Sequence, residues 1–264
     1  MASLFLASAY LYCCLVFRGK PTTVGVGDPD KPSVSFSGCG IRYHFYGGVA
    51  EHIVDNFETD NINILCTSGS IYAAVILALG RKMTVWNDRS WPKCYDYWSN
   101  RRLYLWLDTD AFQRNMWRQY LPQDAHQICT DKLFISVSRL GFYGFYRDTI
   151  CKYESNEALI DAIVCTIHIP GLYRKLPMCN GRPAFDGCFT NMQPRINDRT
   201  AEMPTLTVKL FGKADIDFGN RLSMSNLFQI VEPSLCNAKI LEGRKIASAM
   251  HAVFEKRGFI LRND

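Results

Sequence analysis

The chain has 264 residues, of which 48% are apolar and 21% are charged. This length and balance fit one large folded domain with a substantial core and exclude an intrinsically disordered chain. The formal net charge is only +5 and no dense block of lysine and arginine occurs, so we expect no nucleic-acid partner.

The amino terminus, residues 1–17, is apolar and carries no charge, and Arg18 and Lys20 follow it directly. Its length is at the short limit for a membrane-spanning helix. Basic residues on its carboxyl side would keep the following domain in the cytosol. Two interpretations stay open. The segment anchors the protein in a membrane, or it forms an extra helix packed on the domain of a cytoplasmic protein.

Residues 22–32 are rich in Gly, Pro and Asp and indicate a linker, so we divide the chain into an amino-terminal part, 1–32, and a domain, 33–264. Apolar patterning then alternates between the periods of strands and helices, which predicts an α/β fold with a mostly parallel sheet. Residues 86–120 are dense in aromatic side chains, which predicts core or the lining of an acyl channel or lid. Strands are expected at 34–37, 61–66, 132–138 and 205–210, and helices at 46–57, 70–79, 110–120, 155–164 and 238–257.

Three short motifs carry chemistry. The first is the glycine-bracketed loop Gly38-Cys39-Gly40 after the first strand, whose backbone amides are suited to holding an oxyanion. A tight turn is the plainer interpretation. A dinucleotide loop is disfavoured, because the sixth position of the pattern is Tyr43 instead of glycine.

The second motif is Ser68, placed between an apolar strand and an apolar helix, as a nucleophile at a sharp turn would be. The usual small neighbours are replaced here by Cys66 and Ser70. An ordinary helix-capping serine is the alternative, and Ser70 is a rival nucleophile. The third motif is Asp186-Gly187, a common turn sequence that also supplies a carboxylate base.

In this order the motifs resemble the patatin-like phospholipase family, close to the branch of the animal adipose-type triglyceride lipases. The resemblance covers roughly residues 33–195. The matching positions are Gly38, Cys39, Gly40, Arg42, the helix start Phe45-Tyr46-Gly47-Gly48-Val49, Ser68, Asp186, Gly187, Asn191 and Pro194.

The resemblance implies a three-layer α/β/α fold and a lipid acyl hydrolase of the phospholipase A or acylglycerol lipase type. Asp186 would take the proton of Ser68, and the amides of Gly38, Cys39 and Gly40 would hold the oxyanion. No catalytic histidine, metal or cofactor is implied, and the partners would be a lipid substrate and a membrane or droplet surface. Arg42 and Gly187 are expected to support this site.

The chain also departs from the family pattern. Tyr43 replaces the last glycine of the loop, Cys66 and Ser70 replace the small residues beside Ser68, and Cys188 follows Asp186-Gly187. Because these side chains would crowd a strained turn, a catalytically inactive lipid-binding or regulatory protein remains the alternative.

Cysteine and histidine spacing gives no sign of a metal site. The eleven cysteines form no CxxC pair, and the five histidines show no HxxxH spacing. We therefore expect buried, reduced thiols in a domain that faces the cytosol.

Overall fold

The computed structural model describes residues 27–99, 109–142, 144–170, 176–196, 205–210, 212–217 and 230–262. The apolar segment at 1–17 and the first part of the predicted linker lie outside these ranges. Within the ranges, every helix is too short or too polar to cross a lipid bilayer.

Strands and helices alternate along the described chain. The strands are β1 (Ser33–Phe36), β2 (Asn63–Thr67), β3 (Leu133–Gly141), β4 (Gly144–Ile150), β5 (Met178–Cys179), β6 (Arg182–Pro183), β7 (Phe185–Asp186), β8 (Leu206–Lys209) and β9 (Ile216–Asp217). The helices are α1 (His44–Asn56), α2 (Ile71–Ala78), α3 (Met83–Ser99), α4 (Thr109–Tyr120), α5 (Ala125–Cys129), α6 (Asn156–Thr166), α7 (Pro233–Ala249) and α8 (His251–Lys256). Single 3₁₀ turns follow β2 at Ser68–Ser70 and β7 at Gly187–Phe189.

Seven strands form one sheet in the order β4-β3-β2-β1-β8-β9, with β7 paired to β3. The pairs β1–β2, β1–β8, β2–β3 and β8–β9 are parallel, whereas β4 and β7 run antiparallel to β3. Every residue of β1 and β2 is buried, as expected for strands inside a mostly parallel sheet that is covered on both faces. The predicted α/β class and mostly parallel sheet are confirmed.

Helix α2 lies at the centre of the core. All of its residues are buried, because its sequence carries no charged side chain on any face. The helix ends before Gly80, which adopts a left-handed φ of 61° that glycine tolerates best. The predicted helix at 70–79 is confirmed to within one residue at each end.

The predicted closing helix at 238–257 was wrong in two respects. The first helix, α7, begins earlier, at Pro233, because proline is favoured in the first helical turn. The chain then leaves the helical path at Met250, whose φ is −104° and ψ is 17°, and a second helix, α8, starts at His251. The sequence did not indicate this break, because apolar residues continue through it at helical spacing.

Three tryptophans of the aromatic segment belong to the core, which is one of the two interpretations of that segment. Trp86 and Trp117 are fully buried and Trp91 is 2% exposed. Their rings surround Tyr72 of α2 and Tyr43 ahead of α1, with Trp86 5.7 Å from Tyr43 and Trp117 5.5 Å from Tyr72 between ring centroids. These side chains therefore pack against α2 and against the residue that precedes α1.

The cysteines that the structure describes are free thiols, and all except Cys151 are buried. Burial raises the pKa of the Cys94 and Cys129 thiols to about 12, so both stay protonated at neutral pH. In the described ranges, no three His, Cys, Asp or Glu side chains converge as metal ligands would.

One buried histidine makes the fold sensitive to acid. His44 is fully buried, with its ring centroid 4.4 Å from that of Tyr43 and 4.6 Å from that of Trp91. Burial, reinforced by the nearby Arg42 cation, lowers the pKa of His44 from 6.5 to about 3. The folded protein therefore keeps this ring neutral where the unfolded chain protonates it.

We expect the free energy of unfolding to fall as the pH drops from 6.5 toward 3, with a loss from His44 of about 2 kcal/mol at pH 5. The unfolded chain gains a proton in this window that the folded chain cannot accept. Urea unfolding at a series of pH values measures the effect. His44→Leu and His44→Gln should both flatten the curve; equal pH slopes in wild type and both variants would contradict it.

Candidate active site

The site begins with the backbone of Ser68, at the junction between β2 and the 3₁₀ turn. Its φ is 56°, in the left-handed region that residues other than glycine seldom adopt. This conformation turns the chain sharply from strand to helix and lifts the serine side chain out of the sheet. Strain of this kind persists only where the surroundings fix it, and it concentrates at functional sites.

Thr166, the last residue of α6, holds that strained turn in place. Its Oγ1 accepts the backbone amide of Ser68 at 2.9 Å and donates to the carbonyl of Ser136 at 2.7 Å. All three residues are buried. Sequence reasoning did not find Thr166, because a threonine at the end of an apolar helix carries no signal of such a contact.

The side chains of Ser68 and Asp186 meet directly. Ser68 Oγ donates to Asp186 Oδ2 at 2.6 Å, although 118 positions separate the two residues. The other carboxylate oxygen, Oδ1, accepts the amide of Cys188 at 2.9 Å. Asp186 is fully buried and Ser68 is 5% exposed, so the pair is shielded from bulk water. The two residues predicted as nucleophile and base therefore form a contacting pair.

Strand β3 brings this pair together. Strand β2 pairs with β3 as far as Thr67, opposite Ser136. Beyond that point β7 pairs with β3, with Asp186 opposite Val137. The end of β2 and the end of β7 thus meet head to head beside one continuous strand, which places Asp186 next to Ser68.

Two further contacts fix the aspartate. Its backbone amide donates to the carbonyl of His168 at 2.8 Å, and its carbonyl accepts the Ser138 hydroxyl at 2.8 Å. The following Gly187 has no room for a side chain, because a Cβ there would lie 2.2 Å from the carbonyl oxygen of Ser136. The Asp-Gly pair predicted as a catalytic motif is thus required sterically as well.

The glycine loop packs against the serine turn. Gly40 has a φ of 57°, and the amide of Arg42 donates to the carbonyl of Cys39 at 3.1 Å, which closes the loop. A Cβ on Gly69 would lie 1.7 Å from the carbonyl oxygen of Gly40. The residue after Ser68 must therefore be glycine for the loop to approach the serine turn this closely.

The three amides predicted to hold an oxyanion are not equivalent. The amide of Gly38 donates to the carbonyl of Met192 at 3.1 Å. A side chain at Gly38 would also overlap the sulfur of Cys188, 2.1 Å from an added Cβ. Within the described ranges, the Cys39 and Gly40 amides donate no hydrogen bond. Those two amides are therefore the ones available to a bound oxygen.

The structure accommodates both altered positions beside Ser68. Ser70 Oγ accepts the amide of Thr67 at 3.1 Å and lies 2.8 Å from the carbonyl of the same residue. Ser70, the alternative nucleophile predicted from the sequence, therefore caps the turn. The thiol of Cys66 is fully buried and points at the carbonyl of Phe134, 3.8 Å away. Neither side chain displaces Ser68 from Asp186.

The other two departures are accommodated differently. Tyr43 has an ordinary φ of −62°, so glycine's freedom is not needed there, and its ring stacks on Tyr72 at 4.3 Å between centroids. Cys188 keeps a function through its backbone, which holds the Asp186 carboxylate. Its sulfur accepts a long hydrogen bond of 3.9 Å from the hydroxyl of Thr67.

A buried, uncharged thiol lies near the aspartate. Burial raises the pKa of the Cys39 thiol well above its ordinary value, and the nearby carboxylate of Asp186 raises it further. The thiol is therefore uncharged at neutral pH.

Arg42, predicted to support the site, is 7% exposed, and burial lowers its pKa. Its demonstrated contribution is the backbone hydrogen bond that closes the loop.

The role of Thr166 can be tested by removing only its hydroxyl. Thr166→Val leaves the Ser68 amide buried without an acceptor, which costs about 1–3 kcal/mol of folding free energy. We also expect the variant to react more slowly with a fluorophosphonate, since the strained turn loses its restraint. Thr166→Ser keeps the hydroxyl and should match wild type in urea unfolding and in labelling rate; a wild-type labelling rate in Thr166→Val would contradict this role.

Comparison with known proteins gives distant relatives. No protein-family model matches the chain. Omega-hydroxyceramide transacylase of Mus musculus is 27% identical over 182 residues, covering 64% of this chain and 29% of the relative. The Homo sapiens protein of the same name is 28% identical over 183 residues, covering 64% and 32%. The 1-acylglycerol-3-phosphate O-acyltransferase Pnpla3 of Mus musculus is 24% identical over 216 residues, covering 77% and 49%.

The chain thus spans between about three tenths and one half of the length of these curated relatives. The similarity agrees with the ordered motifs around Ser68 and Asp186 and with the α/β fold built on a mostly parallel sheet. In sequence, motif order and fold together, the chain is similar to patatin-like proteins of the branch that includes Pnpla3.

Proposed function

We propose that this protein is a lipid acyl hydrolase that cleaves carboxylic esters with a Ser68–Asp186 dyad. The observation that carries the proposal is the 2.6 Å hydrogen bond from Ser68 Oγ to Asp186 Oδ2 at a turn with a left-handed serine. A hydroxyl bonded to a buried carboxylate has both a proton acceptor and a fixed direction of attack. A helix-capping serine would need neither feature.

In the first step, Asp186 accepts the proton of Ser68 as the oxygen attacks the ester carbonyl. The carbonyl oxygen becomes an oxyanion, and the amides of Cys39 and Gly40 are positioned on the adjoining loop to receive it. The start of α2 adds a favourable electrostatic contribution, because the amino end of a helix carries partial positive charge. One oxyanion donor typically contributes about 3 kcal/mol to transition-state stabilisation.

Collapse of the tetrahedral intermediate breaks the ester bond, and the proton held by Asp186 passes to the departing alcohol. This leaves an acyl group on Ser68 and an ionised Asp186. Water then loses a proton to the aspartate and attacks the acyl carbonyl, which releases a fatty acid and restores the serine hydroxyl. Each step uses the same two side chains in alternating roles, as microscopic reversibility requires.

A second candidate is acyl transfer, in which an alcohol of another lipid replaces water in the second step. The relatives favour this possibility, since their names describe a transacylase and an acyltransferase that act on lipids. The first half of the mechanism is identical. The two candidates differ only in what resolves the acyl-enzyme, so product analysis with and without an added acceptor alcohol separates them.

An inactive, lipid-binding protein is the remaining alternative, suggested by Cys66 and Ser70. Against it stands the observation that both side chains are buried in contacts of their own and leave the dyad intact. Restoring both positions to glycine should then raise activity little. A large gain from an inactive wild type would instead favour the regulatory interpretation.

We further propose that the protein works at a membrane or droplet surface, with the domain facing the cytosol. The lipid substrate supports this, together with the uncharged apolar sequence of residues 1–17. Cytoplasmic localisation is the alternative if that segment packs on the domain.

A fluorophosphonate probe tests the dyad directly, because it reacts with activated serines. We expect wild type to be labelled, Ser68→Ala to be unlabelled and Asp186→Asn to react at least a hundredfold more slowly, since general-base catalysis contributes about 10²–10⁴-fold. Ser70→Ala is the matched control, a serine two positions away in the same turn. It should still be labelled if the turn stays folded.

Two results would contradict the proposal. If labelling were lost only in Ser70→Ala, Ser70 would be the nucleophile in place of Ser68. Folded wild type that takes no label would favour the inactive alternative. Unfolding midpoints measured on the same samples show whether each variant is folded.

A further inference from the structure

The tip of the β3–β4 hairpin exposes large apolar side chains to solvent. Phe142 is 96% exposed and Leu140 is 67% exposed, the two highest values among the described large apolar residues that are exposed. The two strands pair as far as Gly141 opposite Gly144, so Leu140 and Phe142 lie at the end of a two-stranded ribbon. Isolated exposed leucines are ordinary, but a phenylalanine exposed at a ribbon tip with a leucine beside it is a feature to explain.

This tip projects from the edge of the sheet that carries the dyad. Thr67, which precedes the nucleophile, lies opposite Ser136 on β3 in a parallel pair. Both strands therefore point toward the same edge. Leu140 is four residues further along, which at the rise of a strand places it about 13 Å beyond the row of Thr67. The hairpin thus extends past the end of β2, at the edge of the sheet where Ser68 lies.

The hairpin is firmly attached to the segment around the aspartate. Arg139 is 4% exposed, and its Nε donates to Asp148 Oδ2 of β4 at 2.6 Å. Its Nη1 donates to the carbonyls of Cys179 and Arg182, at 3.2 and 3.1 Å. Phe145 of β4 packs on Phe185 of β7 with 5.2 Å between ring centroids. These contacts therefore join the hairpin to the segment that carries Asp186.

A third exposed apolar residue, Met192, lies beside the glycine loop. Met192 is 39% exposed, its carbonyl accepts the Gly38 amide, and its sulfur lies 3.1 Å from where a Cβ on Gly38 would be. Exposed apolar surface thus occurs both at the hairpin tip and beside the glycine loop.

Two basic side chains are exposed on the segment next to the dyad. Arg182 and Arg195 are exposed on the segment that contains Asp186, whereas Asp186 is buried and Asp148 is bonded to Arg139. An apolar tip flanked by arginines complements the surface of a membrane with anionic phospholipids, because the tip enters the acyl boundary while the arginines meet the headgroups.

We infer that Leu140 and Phe142 form a membrane-insertion tip, which docks the catalytic edge of the protein on an anionic phospholipid surface. The inference rests on the proposed function, since it gives the tip the task of presenting the dyad to lipid. The inference also names the part of the protein that touches the membrane, and it specifies how the domain is oriented on that surface.

Co-sedimentation of the full chain with vesicles of phosphatidylcholine and phosphatidylserine tests the inference. Phe142→Asp should lower the vesicle partition coefficient by about tenfold or more, because it removes a large apolar side chain from the acyl boundary. Phe142→Trp should retain wild-type binding. Ile260→Asp is the matched control, since Ile260 is 53% exposed and its carbonyl accepts the amide of Glu58, which precedes β2 at the opposite edge of the sheet. It should bind as wild type does.

Hydrolysis of a water-soluble, short-chain ester is measured on the same proteins. We expect Phe142→Asp to keep wild-type kcat/KM on that ester while its activity on vesicle-borne substrate falls with its binding. Because the side chain is nearly fully exposed, its replacement should leave the unfolding midpoint unchanged, and Leu140→Ser provides a second, milder variant.

Three results would overturn the inference. Equal vesicle binding by wild type and both tip variants would assign membrane contact to another segment. Self-association that disappears in Phe142→Asp would assign the tip to a second copy of the chain. A loss of soluble-ester activity without a loss of binding would make the tip part of the catalytic site. Failure of soluble-ester hydrolysis by wild type, in contrast, counts against the proposed function and leaves the vesicle result to be judged separately.

Discussion

The site depends on the pairing of two strand ends with one strand. Strand β3 pairs first with β2 and then, one residue further on, with β7. The hydrogen bonds of the sheet therefore determine how far Ser68 lies from Asp186. Neither residue is positioned by a long flexible loop, and a sheet interior holds its geometry to fractions of an ångström because it is close-packed. The 2.6 Å contact between the two side chains follows from that arrangement.

This arrangement has a cost that the neighbouring residues offset. A serine at a φ of 56° is strained, typically by about 1–3 kcal/mol. The hydroxyl of Thr166 and the capping hydroxyl of Ser70 hold the turn, while Gly69 and Gly187 allow the backbones of the loop and of β3 to approach closely. The chain tolerates cysteine at position 66 for a separate reason. That thiol is fully buried and points at the carbonyl of Phe134.

Much of the site could be predicted from the sequence. A serine between an apolar strand and an apolar helix, a preceding glycine loop and a following Asp-Gly pair identified the two residues that meet. The mostly parallel sheet followed from the same alternation. These features are local, so they leave a pattern in neighbouring residues that the periods of strands and helices reveal.

What the sequence did not reveal is non-local. The contact of Thr166 with Ser68 and the bond from Gly38 to Met192 each join residues distant in the chain, and nothing in either sequence neighbourhood marks them. The choice between Ser68 and Ser70 was open for the same reason, since it depends on which hydroxyl meets Asp186. The break at Met250 was missed because apolar residues continue through it.

The central claim is that Ser68 carries the acyl group between the two halves of the reaction. Intact-protein and peptide mass spectrometry after brief mixing with an activated carboxylic ester tests it most directly. The account predicts a transient gain of one acyl mass located on Ser68, absent in Ser68→Ala and slow to form in Asp186→Asn. An acyl group found on Ser70 or on a cysteine, or ester cleavage by Ser68→Ala at the wild-type rate, would contradict it.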